Sequence, residues 1–391
     1  MFFFATFFFF SRFLRTASII DSLITGVFCG IALLSKFTSA ILPLILIALM
    51  LFYFLSREYK NGGKSAARYL SGLLFSLFIA VIVLNAGYCF DKTLMPLSAF
   101  QWNSGQLNAL KDSFIGSIPL PLPYLYIDAF DQQLFKSGSR VFDYYLNGNI
   151  SRSGWASYYW IAIALKTPIP LIIFGLAGFL TMFRKKVSFH ERSIWLIPFV
   201  FLIMFSTVVK IDFGIRYLLP ILPFVIVAAS GVMSKLLNGN KAGNIIVALF
   251  LACSILSPLK TFGNGLAYFN EFAGGPSGGH RYLVESNLDW GQNLARLKKY
   301  TDTNETSPLL VYNYGLVPAS AYGIKNAGWV PCEPARAVVA ISVNYLYGID
   351  PFQHRSRECF SWLADKEPIK KLGYGLFIFD TRDDPDLNTA Q

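Results

Sequence analysis

Three cations stand where a membrane-embedded chain can least easily carry charge. Lys36 lies in ALLSKFTSAILP, between two apolar runs. Lys166, in IALKTPIPLII, falls either inside an apolar run or at the top of one that begins at Thr167. Arg216 closes the short segment KIDFGIR, which also holds Lys210 and Asp212, and is followed by YLLPILPF. A charge at the centre of a membrane helix costs roughly 2.5–3.5 kcal/mol on the insertion scale. Cations kept at such positions could form a rim for an anionic headgroup such as a lipid phosphate, with a guanidinium giving two parallel bonds. The structural alternative is ordinary anchoring, in which the charged head snorkels to the interface.

A second cluster is polar but not cationic. HRYLVESNLDWGQNLARLKKY, residues 280–300, carries Glu285, Asn287, Asp289, Trp290 and Gln292. Asn287 or Asp289 could cap a helix running through Leu294 to Tyr300. The functional alternative is a polar lip facing the membrane, with Trp290 stacked on a sugar or resting on lipid. Other chemistries find no support. His190, His280 and His354 are the only histidines, and none has metal-ligand spacing with another His or Cys. There is no nucleophile elbow, P-loop or dinucleotide fingerprint, so no cofactor is evident. Cys332 and Cys359 both fall in a segment expected outside the cytoplasm, where a disulfide persists; two unrelated buried thiols are the alternative.

The elements that must position these groups are mostly apolar. The chain has 391 residues, 54% of them hydrophobic and 15% charged, with a net charge of +11. Residues 263–391 hold 12 Lys/Arg against 14 Asp/Glu, so the preceding part holds 22 against 9. Basic residues confined to short loops between apolar runs indicate a membrane protein obeying the positive-inside rule, not a nucleic-acid binder. Spans are expected at 19–35, 38–55, 68–89, 157–182, 193–209, 217–234 and 244–262, with a partial one at 2–11. MFFFATFFFF looks like the tail of a membrane helix whose beginning is missing, because a span needs about 20 residues. If every span crosses once, four basic loops share the cytoplasmic side. They contain Arg12 and Arg15; Arg57, Lys60, Lys64 and Arg68; Arg184, Lys185, Lys186 and Arg192; Lys235 and Lys241. The loop 90–156 and everything after Phe262 then lie outside.

The outer parts are patterned differently. IPLPLPYLY, in the loop 90–156, cannot be a regular helix, because proline lacks the N–H donor. WASYYW places four aromatics at the next membrane boundary. Beyond Phe262, PLLVYNYG, RAVVAISVNYLYG and YGLFIFDT read as strands; NLARLKKYT and RECFSWLADK have apolar residues at helical spacing. The expected fold is an α-helical polytopic membrane domain, 1–262, followed by an extracytoplasmic α/β domain, 263–391, with a loose tail.

Five segments in order carry a resemblance: GVFCGIALLSKFTSAILPLILI, YLNGNISRSGWASYYWIAIALKTPIPLIIF, GIRYLLPILPF, YLVESNLDWGQNLARLKKY and CFSWLADKEPIKKLGYGLFIFD. Together they resemble bacterial integral-membrane glycosyltransferases, the phospholipid-carrier-dependent proteins of GT-C fold related to protein O-mannosyltransferases. The resemblance implies transfer of a sugar from a polyprenyl-phosphate carrier to a protein, lipid or glycan at the outer face of the inner membrane, with inversion at the sugar carbon. It implies Arg216 and Lys166 as donor-phosphate contacts, beside the Lys36 of the cationic rim. The family's catalytic acid belongs to a first outer loop that would fall upstream of Met1. None of Asp91, Asp112, Asp128, Asp131, Asp143 and Asp212 matches it, so no catalytic residue is carried over, and the chain is expected to be an N-terminally incomplete transferase. The rival readings are a non-catalytic carrier-binding subunit or relic, and a transporter of lipid-linked sugar. A transporter would show paired broken helices or inverted repeats, which the sequence does not reveal.

Overall fold

The computed structural model describes residues 1–138, 142–181, 188–209, 212–350 and 356–385. Arg184, Lys185, Lys186, Lys210, His354, the side chain of His190 and the tail beyond Pro385 lie outside this description. Two compact units are each assembled from separate stretches. One comprises Met1–Arg140, Phe174–Ile203 and Tyr217–Lys235; the other comprises Val141–Ile173, Met204–Arg216 and Leu236–Gln391. The composition change after Phe262 therefore falls inside a unit: the helix Lys241–Leu259 groups with the residues that follow it.

Apolar run length sets the helices. Among the described residues, Phe37–Leu55, Ala66–Gly87, Leu219–Leu237 and Lys241–Leu259 are long and apolar enough to cross a membrane, and Ile19–Ser35 is a shorter apolar helix. Three expected spans differ. The run 2–11 is part of a longer helix, Phe2–Thr16, with Phe3, Phe7, Phe10, Phe13 and Leu14 buried at helical spacing. Phe4 and Phe7 each present an edge to Phe224 at 5.0 Å. The span 157–182 is not continuous: Tyr158–Lys166 and Ile169–Thr181 meet at 119°. Thr167 is extended, as expected of a residue before proline. The run 193–209 is an α-helix, Phe189–Ile203, that widens into a π-helix at Met204–Val209.

In the first unit, small residues let helices approach closely. A Cβ on Gly26 would lie 2.5 Å from the Ser76 carbonyl oxygen, and one on Gly30 would lie 2.5 Å from Val83 Cβ. This small-xxx-small spacing joins Ile19–Ser35 to Ala66–Gly87. At one end of this unit, Lys64 Nζ donates to Thr16 O at 2.8 Å, Arg68 Nε to Ala17 O at 3.1 Å and Phe189 N to Glu58 Oε1 at 2.8 Å. Three of the four basic segments thus meet at a common end. At the opposite end, the loop after Gly87 folds on its own small core of Leu97, Trp102 and Leu107. The residues 118–123 stay irregular, and a helix starts at Tyr124, directly after the last proline of the run.

The C-terminal region of the second unit forms a five-stranded sheet. Its order is Ala327–Gly328, Leu309–Tyr312, Val338–Ser342, Leu376–Asp380 and Lys370–Leu372. The first three strands are parallel and the last two antiparallel to their neighbours. Leu294 and Leu297, on the helix Leu294–Thr303, pack on Leu309, Val311, Val338, Ala340 and Ile378. RAVVAISVNYLYG is strand only to Ser342, whose hydroxyl caps the short helix Val343–Leu346. RECFSWLADK is not an α-helix but a set of turns around one short 3-10 helix, Ser361–Leu363. Cys359 is bonded to Cys332, and Phe360 packs on Tyr312, so tertiary anchors override the helical spacing.

Candidate functional site

The break in the apolar helix organises the second unit. In an unbroken helix the Ala164 carbonyl would accept from residue 168, but Pro168 has no N–H. Asn270, fully buried, supplies the missing donors. Its Nδ2 donates to Ala164 O at 2.6 Å and to Thr167 O at 2.8 Å, and its backbone N–H donates to Leu165 O at 2.8 Å. The expected donor contact Lys166 is held at the same break. Its ammonium donates to Leu266 O at 2.7 Å and Asn287 O at 2.5 Å and lies over the Phe269 ring. Two of its three protons therefore serve the fold.

The segment 212–216 docks beside this break. Tyr158 and Tyr159 face inward, while Trp160 is half exposed; only part of WASYYW therefore suits a membrane boundary. The Tyr158 hydroxyl accepts from Gly214 N and from Asn287 Nδ2, each at 2.9 Å. Asn287 Oδ1 accepts from Ile215 N at 3.2 Å, and Ser286 Oγ donates to Phe213 O. Gly214 has φ +88 and no room for a Cβ, which would lie 2.5 Å from Ser286 Oγ. Tyr158→Phe is expected to leave the Gly214 N–H buried and unpaired. The cost should be about 1–3 kcal/mol, read as a lowered midpoint in thermal unfolding of the detergent-solubilised protein.

Two carboxyls are enclosed here. Asp212 is 2% exposed, and its Oδ2 accepts from Trp155 N at 2.7 Å. Burial pushes it up to about 7, against the pull of that N–H. Glu285 is 3% exposed, and neither carboxyl oxygen has a hydrogen-bond partner among the described residues. Burial raises it well above the ordinary glutamate value; Asp212 and Asp143 add to the rise, and the Arg216 charge opposes it. Its backbone is left-handed, φ +57, and its N–H donates to Asn344 Oδ1 at 2.5 Å.

Arg216 stands at the edge of this cluster, its guanidinium 4.9 Å above the Trp290 ring. Trp290 also meets Tyr314 and is half exposed. Asn287 and Asp289 do not cap the helix Leu294–Thr303; its N-cap is Asn293, which makes no side-chain cap bond. Asp289 instead accepts from Ser342 Oγ at 2.6 Å and from Gly291 N at 3.0 Å. Gln292 Oε1 accepts from Trp290 N at 2.6 Å, fixing the turn. These residues gather at the carboxyl ends of the parallel strands Leu309–Tyr312 and Val338–Ser342. The chain leaves the first strand to one side and returns to the second on the other, the position where open α/β sheets hold ligands.

The expected cations are thus distributed. Arg216 and Lys166 both belong to the second unit, each tied to the 285–290 segment. Lys36 belongs to the first unit, where its ammonium lies 4.8 Å over the Tyr217 ring. Sequence reasoning missed Asn270, Tyr158 and Asn344. For Asn270 a signal existed: KTPIP strands helix carbonyls and calls for a distant donor. Among the described residues, no group of three or more His, Cys, Asp or Glu is arranged to hold a metal ion. No protein-family model matches the chain, and no curated protein or solved structure matches it either.

Proposed function

We propose that this chain serves the transfer of a sugar from a polyprenyl-phosphate carrier to a protein, lipid or glycan acceptor at the outer face of the inner membrane, with Arg216 contacting the donor phosphate. The observation that carries this reading is the setting of Arg216. It is held over Trp290, beside two acids that burial drives toward their neutral forms, in the loop that enters the apolar helix Leu219–Leu237. A cation at a membrane boundary, among groups that resist ionisation, suits the charge that develops on a departing phosphate. The meeting of three basic segments at one end of the first unit supports that end as cytoplasmic.

A second reading, a carrier-binding subunit without catalytic activity, is favoured by one specific observation. Asp212 and Glu285 are too enclosed to reach an acceptor hydroxyl, so neither is assigned as base. The broken helix pair has the form of a transporter element, but among the described residues there is one such pair rather than two in corresponding positions.

The test is binding of radiolabelled polyprenyl-phosphate sugar to purified protein in nanodiscs. Arg216→Ala is expected to weaken binding roughly thirtyfold, the equivalent of about 2 kcal/mol for a charge-assisted bond. Arg216→Lys should recover part of it. Unchanged binding in Arg216→Ala would remove Arg216 from the site. Sugar transfer by the parent protein separates the transferase from the binding subunit.

A further inference from the structure

The first unit carries an apolar surface that its own core does not use. Phe90, Leu94, Met95, Phe114, Ile115 and Ile118 are all exposed, Phe114 to 80%. They lie within one folded piece. Leu94 N donates to Leu120 O at 3.0 Å, Pro96 bridges Pro119, and Ile118 N donates to Ile115 O at 3.0 Å. The two backbone segments that bear these residues are therefore neighbours. The piece has a separate interior, Leu97, Trp102 and Leu107, so the exposed set is not a core turned outward.

What covers this surface follows from where it is fastened. Asn85, in the last turn of Ala66–Gly87, donates from Nδ2 to Pro121 O at 2.9 Å. Its Oδ1 accepts from Thr93 Oγ1 at 2.5 Å. Phe37, the first residue of Phe37–Leu55, packs on Tyr126 at 5.4 Å. The piece is thus pinned to the ends of two apolar helices on the side away from the basic segments. Phe90 is three residues past Gly87, so it lies within about 11 Å of that helix end. The outward residues Leu70, Leu74, Phe78 and Ile82 of the same helix are also exposed apolar side chains, so the greasy surface continues from helix to loop. Lys92, over the Tyr124 ring, and Lys111 lie beside this set, each next in sequence to an aspartate, Asp91 and Asp112, so the surface carries no net charge.

We infer that Phe90–Leu120 dips into the headgroup and upper acyl layer of the bilayer, with Phe114 as its deepest wedge, and so fixes the height of the loop above the membrane. An uncharged surface of exposed Phe, Leu, Met and Ile side chains, fastened to the ends of two apolar helices, is the kind that a bilayer interface covers. The inference rests on the apolar helices crossing a bilayer and does not depend on the transferase reading.

The experiment uses the full chain, with Cys89 and Cys253 replaced by Ser, in phosphatidylcholine nanodiscs. An NBD label is placed in turn at Phe114→Cys, at Ile118→Cys, at Leu74→Cys on the helix face and at the exposed polar Gln106→Cys. Labels at 114 and 118 are expected to be quenched by headgroup-nitroxide lipid and to lose most of the iodide quenching seen at 106. The label at 74 should respond to acyl-chain nitroxide. Iodide quenching at 114 and 118 equal to that at 106 would overturn the inference, with the lipid response at 74 leaving the membrane reading intact. Protection from iodide without lipid quenching would also overturn it, because protein rather than lipid would then cover the surface.

Discussion

Asn270→Ala is expected to destabilise the protein by about 3–5 kcal/mol, among the largest effects of any single substitution. The residue is a donor bridge over a proline break. Ala164 O has lost its helical partner to Pro168, and Thr167 has left the helix; both carbonyls turn to Asn270 Nδ2. Its Oδ1 also accepts from Phe272 N at 3.0 Å. Removing the side chain leaves two carbonyls and one N–H without partners, in a region where water is scarce and each unmet group is costly. Native stabilities are only about 5–15 kcal/mol, so the variant should accumulate poorly and unfold at a much lower temperature. Asn270→Asp is the sharper comparison. It keeps the acceptor for Phe272 but sets a carboxylate against two carbonyl oxygens, so it should be no better than Ala. Thermal unfolding in detergent checks both; an Asp variant as stable as the parent would refute the donor role.

The enclosed acids predict a stability that falls as pH rises, the reverse of ordinary acid denaturation. The unfolded chain releases the Asp212 proton near 3.8, whereas the folded protein holds it until about 7. Between these values the folded state binds more protons, so the contribution is complete below about 4 and lost as pH passes 7. A shift of about three units corresponds to something on the order of 4 kcal/mol. Asp289, pushed up to about 6 by burial, adds a smaller loss over a lower window. Glu285 adds to the loss in the same direction. His280 works the other way, because burial holds it down to about 4, so stability is gained as pH rises toward its unfolded value of 6.5. That contribution cancels between parent and variant. Asp212→Asn keeps an acceptor for Trp155 N but cannot ionise. It is expected to match the parent below about pH 4, to lead it slightly at pH 5 and to exceed it at pH 8 by several degrees in unfolding midpoint. Glu285→Gln should behave alike. Equal midpoints at pH 8 would show that Asp212 ionises in the folded protein without cost. If either variant gains stability and loses donor binding, the acid is retained for function at the expense of stability.

The apolar helices were legible in the chain before any contact was known. Ile19–Ser35 and Phe37–Leu55 stand within a residue of their expected bounds, because an apolar run of that length has few other stable forms in lipid. Arg216 and Lys166 stood out as well, since charge beside apolar runs is costly enough to be visible one residue at a time. The strands Leu309–Tyr312 and Leu376–Asp380 were legible for the same local reason, a buried β-branched and aromatic run. What the polar groups do was settled only by tertiary contacts. Asn287 and Asp289 could have capped their own helix, yet they serve Tyr158 and Ser342, 129 and 53 residues away. Lys166 could have faced a phosphate with its whole ammonium, yet it holds carbonyls 100 and 121 residues distant. The turns at 356–366 follow the bond between Cys359 and Cys332 rather than their helical spacing. One cause underlies all of these. Apolar burial is non-directional and is recorded in each residue's type, whereas a buried polar group takes its role from whichever partner the folded chain brings within hydrogen-bond reach.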